Sequence, residues 1–93
     1  MDVRFYVDSE SGTPHCEGHG VSAAEVVEAM EQGVEDRPGV GGARVLIGRT
    51  VGGRLVRVIY VPDGEPGSIF VITAYELGRK SKAALRRRMR RRS

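Results

Sequence analysis

The sequence predicts an α+β domain, and three observations predict it. Three β-rich runs, RVLIGRT, RLVRVIYV and SIFVITAY, follow one another with only turn-forming residues between them. One stretch, VSAAEVVEAMEQG, carries a helix start, an amphipathic body and a stop. A last segment, SKAALRRRMRR, spaces its few apolar residues as a helix would. The expected architecture is a three-stranded antiparallel meander with an N-terminal strand at its edge, and two helices packed on one face. The 93 residues form a single domain, with 1–80 as an acidic globular body and 81–93 as a basic helix or tail.

Each element has its own signal. Val3 to Val7 (VRFYV) reads as the first strand. DSESGTPHCEGHG, dense in Gly, Pro, Ser and acids, reads as a loop with a turn at Gly18. Ser22 heads the first helix. Its hydroxyl can accept from an orphan backbone N–H, and Glu25, three residues on, can return the bond. Val21 and Val26 occupy the two staple positions around that cap. Ala23, Val26, Val27 and Met30 share a stripe, and Gly33 supplies the stop, so the helix spans about Ala23 to Gln32. Residues 34–43 form a connector. Gly52-Gly53 marks a hairpin, because both positions tolerate positive φ, and PDGEPG turns the chain into the last run. Gly78 ends the sheet region. Ser81 caps the second helix, and Leu85 and Met89 with Ala83 or Ala84 give it a narrow apolar stripe. Adjacent arginines repel, so its first two turns are expected to pack and its end to fray.

The strands alternate with period two. Val56, Val58 and Tyr60 lie opposite Leu55, Arg57, Ile59 and Val61; Val45, Ile47 and Arg49 lie opposite Arg44, Leu46 and Gly48. Phe70, Ile72 and Ala74 are expected on one face, with Ile69, Val71, Thr73 and Tyr75 on the other. Both faces are largely apolar, so each is expected to be partly covered. Arg57 is then either a rim residue reaching water or part of a polar site on the less covered face.

Charge is divided unevenly along the chain. Residues 79–93 hold nine of the 15 basic residues and none of the 12 acids, which leaves six bases against 12 acids before them. An acidic body with a basic tail suggests contact with a polyanion or an acidic surface, or association of tail with body. The single cysteine, Cys16, excludes an intrachain disulfide and fits a reducing compartment. Asp2 and Arg4 come too early for a signal-peptide core, and the longest apolar run, VRVIYV, is too short to span a bilayer. These features lead to the expectation of a cytoplasmic protein without a membrane partner.

The residues able to do chemistry are few. His15, Cys16, Glu17 and His19 all have metal-binding side chains, but one short loop supplies them all and no second cluster completes a four-ligand set. No metal and no cofactor is expected. His19 alternatively serves as a general acid or base. GVGGA lacks the lysine and the strand-to-helix context of a phosphate loop. What remains is arginine, lysine, tyrosine and histidine, a set suited to phosphate, since guanidinium forks grip its oxygens and cations stabilise the charge of phosphoryl transfer. Arg49, Arg57, Tyr75, Arg79 and Lys80 are candidate members if strand ends and tail come together. The metal-free cleavage of RNA needs little more, because the 2′-hydroxyl is the nucleophile.

The succession HGVS, EVVEAM, RVLIGRT, GRLVRVIYV, VITAYELGRK and a basic tail resembles the BrnT-type toxins and a related domain-of-unknown-function family, over roughly residues 3 to 90. The resemblance implies a RelE-like fold and a ribonuclease toxin of a type II toxin–antitoxin pair, neutralised by a cognate antitoxin. It implies roles for His19, for Arg44 or Arg49 in the IGR strand, and for Arg79 and Lys80. Where such toxins carry a lysine before the HG pair, this chain has Glu17 and Gly18; where their last strand ends in an arginine, it has Tyr75, which can donate a hydrogen bond or stack on a base. The expected catalytic set is therefore His19, Arg49, Tyr75, Arg79 and Lys80, with Arg44, Arg57, Arg86, Arg87 and Arg90 contacting RNA. The expected partners are RNA, in the ribosome-associated case within the ribosome, an antitoxin, and a second copy of the chain. A non-catalytic RNA- or ribosome-binding module and a protein-interaction domain are the alternatives.

Overall fold

The computed structural model describes residues 2 to 92, and Arg92 through its backbone only. Strands β1 (Asp2–Phe5), β2 (Gly33–Pro38), β3 (Arg44–Arg49), β4 (Leu55–Pro62) and β5 (Ser68–Glu76) form one sheet in the spatial order β1-β5-β4-β3-β2. Helix α1 (Ala23–Glu31) connects β1 to β2, helix α2 (Arg79–Arg92) follows β5, and a 3-10 helix (His15–His19) precedes α1. The α+β class expected from the sequence is present. No helix among the described residues is long and apolar enough to cross a membrane.

The sheet differs from the expected one in two ways. It has a fifth strand, because the segment read as a connector contains β2, paired antiparallel with β3 from Gly33↔Gly48 to Pro38↔Arg44. GVEDRP lacks β-branched density and carries a proline, yet an edge strand needs partners on one side only and tolerates both features. The sheet is also mixed rather than wholly antiparallel, because β1 pairs parallel with β5 from Asp2↔Ser68 to Phe5↔Val71. From β1 the chain crosses one face through α1 to the far edge, then meanders back through four strands until β5 lies beside β1.

Helix α1 forms as its sequence dictates. The Ser22 hydroxyl accepts from Glu25 N–H at 3.1 Å, and Glu25 Oε1 accepts from Ser22 N–H at 3.1 Å, which completes the capping box. Val21 and Val26 are both fully buried, as a hydrophobic staple requires. The buried side of the helix includes Ala29, outside the expected stripe. Gly48 explains this close approach: a Cβ there would lie 1.8 Å from the Ala29 carbonyl oxygen. Gln32, not Gly33, is the C-cap, and Gly33 already begins β2.

The helices cover opposite faces, not one. Leu46, Val56, Val58, Tyr60, Val71 and Ala74 pack with Val26 and Ala29 of α1. On the other face Leu85 of α2 packs with Ile47 and Leu77, flanked by Val34 and Leu55. Both faces of β3 and β4 are apolar, so each requires its own cover, and α1 can supply only one. A bulge in β5 also shifts the expected alternation. Ile59 pairs with Thr73 and Tyr60 with Val71, which leaves Ile72 as the extra residue. Ile69, Val71 and Ala74 thereby share the α1 face, and Ile72 is exposed.

Candidate functional site

The chain between β1 and α1 is more ordered than a loop. Tyr6 N–H donates to the Val71 carbonyl at 2.8 Å, which carries the pairing with β5 one residue past β1. The chain then folds back on itself. His15 N–H donates to the Tyr6 carbonyl at 2.9 Å and Asp8 N–H to the Thr13 carbonyl at 3.0 Å, with Val7 bridging Pro14. The 3-10 helix that follows occupies the rest of the β5 edge. Buried Cys16 anchors it in the core, and Gly20, at φ +80°, closes it by donating to the Cys16 and Glu17 carbonyls. Burial pushes the Cys16 thiol up, with the neighbouring Glu17 charge adding to the effect.

This small hairpin sets His15 opposite Asp8 and His19 beside β5. The result is a continuous line of polar side chains. His15 Nδ1 lies 3.0 and 3.1 Å from the two carboxylate oxygens of Asp8. The Nε2 atoms of His15 and His19 are 3.3 Å apart, with ring centroids at 5.0 Å and planes at 78°. The His19 ring meets the Tyr75 ring edge-on at 6.1 Å. Arg57, cross-strand neighbour of Tyr75, donates from Nη1 to the Tyr75 hydroxyl at 3.5 Å, and its guanidinium carbon lies 5.7 Å from that ring's centroid. Arg57 Nε is buried without a hydrogen-bond partner among the described residues, as is the Thr73 hydroxyl. At the other end Tyr6 leans on His15, and an open depression of about 370 Å³ is lined by Tyr6, Asp8, Ser9, Glu10 and Ser11.

No family model, curated protein or solved structure matches the chain. The site therefore rests on its own chemistry.

Of the residues expected to act, the structure brings His19, Tyr75 and Arg57 together. Of the two readings of Arg57, the polar-site one fits better, because the group is half-buried and stacked rather than extended to water. Arg49, Arg79 and Lys80 do not join the line. All three are exposed, and among the described residues their side chains make no hydrogen bond or ion pair. Arg49 shares the Arg57 face by register, but Leu85 packs over the neighbouring Ile47 and Leu55. Helix α2 begins at Arg79 rather than at Ser81, so Arg79, Lys80 and Lys82 form its first turn with no acid among them. That arrangement opposes the helix dipole and leaves the helix start attractive to anions.

Arg44 is half-exposed and engaged in the fold's own hydrogen bonds. Its Nε–H donates to Asp36 Oδ1 at 2.9 Å, and Asp36 Oδ2 accepts from the Tyr60 hydroxyl at 2.7 Å. Burial, with the Asp36 hydrogen bond and charge behind it, pushes the Tyr60 hydroxyl up. Arg86 and Arg87 are exposed, as is Arg90, which has a partner of its own. The Arg92 side chain, part of the expected basic tail, lies outside the described residues. Asp8 and His15 are absent from the catalytic set that the sequence suggests. The only signal in sequence is their position on either side of a turn-rich SESGTP segment, and reading it requires the hairpin closure to be recognised first.

Proposed function

We propose that this chain is an RNA-binding protein that cleaves phosphodiesters without a metal, on a RelE-like fold like that of the BrnT-type toxins it resembles. The observation that carries this reading is the contact line Asp8–His15–His19–Tyr75–Arg57, which sets proton-handling groups against a half-buried guanidinium. Asp8 accepts the His15 Nδ1–H, which leaves the lone pair of neutral His15 on Nε2. At 3.3 Å the two Nε2 atoms are too close to flank a phosphate as separate base and acid, so the pair works as one proton acceptor. In this reading Arg57 holds the phosphate. The RNA 2′-oxygen bonds to phosphorus as the bond to the 5′-oxygen breaks. The 2′ proton goes to the His19–His15 pair, and the Tyr75 hydroxyl gives its proton to the departing 5′-oxygen. Arg57 beside that hydroxyl stabilises the resulting phenolate. The first turn of α2 and exposed Arg86 and Arg87 supply attraction for the RNA backbone.

An antitoxin or a second copy would take the sheet face that α2 leaves uncovered, where Ile59, Val61 and Phe70 are only half-buried. The test is purified protein with single-stranded RNA in the presence of a chelator. The expected products end in 2′,3′-cyclic phosphate, and His19→Gln and Arg57→Ala each slow their formation about 100-fold. Intact RNA across several sequences would overturn cleavage; saturable binding without cleavage would favour the non-catalytic reading.

A further inference from the structure

We propose that His15 and His19 form a binding site for one borderline divalent transition-metal ion, zinc foremost, with Asp8 orienting His15. The geometry of the pair carries this. Zinc–imidazole bonds are about 2.0–2.1 Å long, so two nitrogens 3.3 Å apart subtend about 107° at a shared ion, close to the tetrahedral angle. With each ring centre about 1.2 Å behind its nitrogen, such an ion sets the centroids about 5.2 Å apart, against the 5.0 Å observed. A linear N–H···N bond of the same length would hold them about 5.7 Å apart. The two rings are therefore inclined to the line joining their Nε2 atoms, and these distances fit an ion set to one side of that line. At 3.3 Å the contact is also longer than an ordinary N–H hydrogen bond.

Two surrounding features point to a cation. The Asp8 carboxylate on His15 Nδ1 forms the carboxylate–histidine pair that fixes tautomer and raises ligand basicity in metal sites. The segment from Asp8 to Gly20 carries Asp8, Glu10 and Glu17 and no lysine or arginine. Arg54, which reaches the Gly20 carbonyl, is paired with Glu25 and Glu76, and Arg57 lies against Tyr75, so the segment's own charge favours a positive ion. Among the described residues no group of three or more ligating side chains converges. The ion thus takes two protein nitrogens and leaves its other positions to water or a phosphate oxygen. His19 lies on the exposed surface and His15 is half-exposed, which gives entry without opening the fold. Resting on the cleavage reading above, one consequence follows: an ion that takes both lone pairs removes the proton acceptor, and zinc inhibits.

The test uses the untagged full chain, stripped of metal. Zinc added in a calorimeter is expected to bind saturably with one ion per chain, and cobalt to give the visible absorption of a four-coordinate site. His15→Gln and His19→Gln are each expected to weaken binding at least tenfold, and Asp8→Asn 10- to 100-fold. Cys16→Ala is expected to leave it unchanged, since that thiol is buried in the core. As a readout free of mutation, zinc should shift the side-chain nitrogen resonances of both histidines in the wild-type chain. No saturable binding, binding unaffected by His19→Gln, or histidine resonances that do not move would overturn the site. The cleavage reading fails separately: zinc that binds one to one without slowing an active enzyme removes the histidine pair from proton transfer and leaves the metal site standing.

Discussion

Gly48 shows how one residue decides an interface. Its missing side chain lets β3 touch the α1 backbone, and any Cβ would collide with the Ala29 carbonyl, a backbone atom that cannot swing aside. Gly48→Ala is expected to cost about 3 kcal/mol or more in urea unfolding, at the upper end of overpacking effects. Arg88 is equally specific. Its Nε and Nη2 both donate at 2.8 Å to the carboxylate of Glu35, whose side chain is 1% exposed. Paired with Glu35, the Arg88 guanidinium is held further above its ordinary range. Removing it takes two charge-assisted hydrogen bonds from a buried carboxylate that Arg37 approaches at 3.6 Å. Arg88→Ala should therefore destabilise the protein by about 2–3 kcal/mol, whereas Arg87→Ala one residue away should change stability by less than about 0.5 kcal/mol. Equal losses in chemical denaturation would show that the arginines act as an undifferentiated tail. Nothing in the local sequence RRRMRRR separates Arg88 from its neighbours; only its reach across the sheet to β2 does.

At the scale of the element, α2 combines two jobs. Leu85 and Arg88 dock it onto the sheet, while Arg86 and Arg87 stay in solvent. Cutting off residues 86–93 would remove the Arg88–Glu35 pair together with the exposed charge, so truncation confuses stability with binding. A cleaner experiment changes Arg86 and Arg87 to alanine and follows RNA affinity against salt. Each phosphate that is no longer neutralised lowers the slope of log K against log salt by about 0.7 for single strands, so the double variant should lose about 1.4 if both touch phosphate. An unchanged slope would take these side chains out of the RNA interface. The helix itself was legible from Ser81 onward but not in its first turn. A start rich in Arg and Lys contradicts local preference, and the chain enters helix there because Leu77 is pinned by its N–H bond to the Leu55 carbonyl.

At the scale of the whole molecule, Arg54 ties three elements together. From the β3–β4 turn it donates to Glu25 of α1 at 2.8 and 2.9 Å, to Glu76 of β5 at 3.1 and 3.2 Å, and to the Gly20 carbonyl at 3.2 Å. The Ser22 backbone N–H, and after it Arg54, hold the Glu25 carboxyl below its ordinary value of 4.5. The unfolded chain therefore takes up this proton more readily than the folded one. The stability contributed by Glu25 is complete above its ordinary value and is lost as pH falls through the lower folded value. Thermal unfolding of wild type and Glu25→Gln should differ most near neutral pH and converge as pH falls below 4.5 and through the lower folded value. A difference that stays constant across that range would mean the cap and the ion pair do not depend on charge.

Much of the secondary structure is written locally. The Ser22–Glu25 box, the Thr50–Gly53 turn and the runs of β3, β4 and β5 depend on neighbours within a few residues, so pattern alone determines them. From sequence alone also come the α+β class, the two apolar faces of the central strands and the segregation of charge. The edge strand β2 was hidden because its pairing energy comes from β3 rather than from its own residues. The candidate site was half legible: His19, Tyr75 and Arg57 have the right chemistry, but nothing local says that they meet. Their meeting depends on the Arg57↔Tyr75 register and on the 3-10 helix filling the β5 edge beyond β1. The same folding brings Asp8 onto His15 and His15 onto His19, contacts that hairpin closure makes and residue order cannot. Sequence determined which groups are available, and tertiary structure decided which stand within bonding distance, because pairing register and helix docking are set by packing over the whole chain.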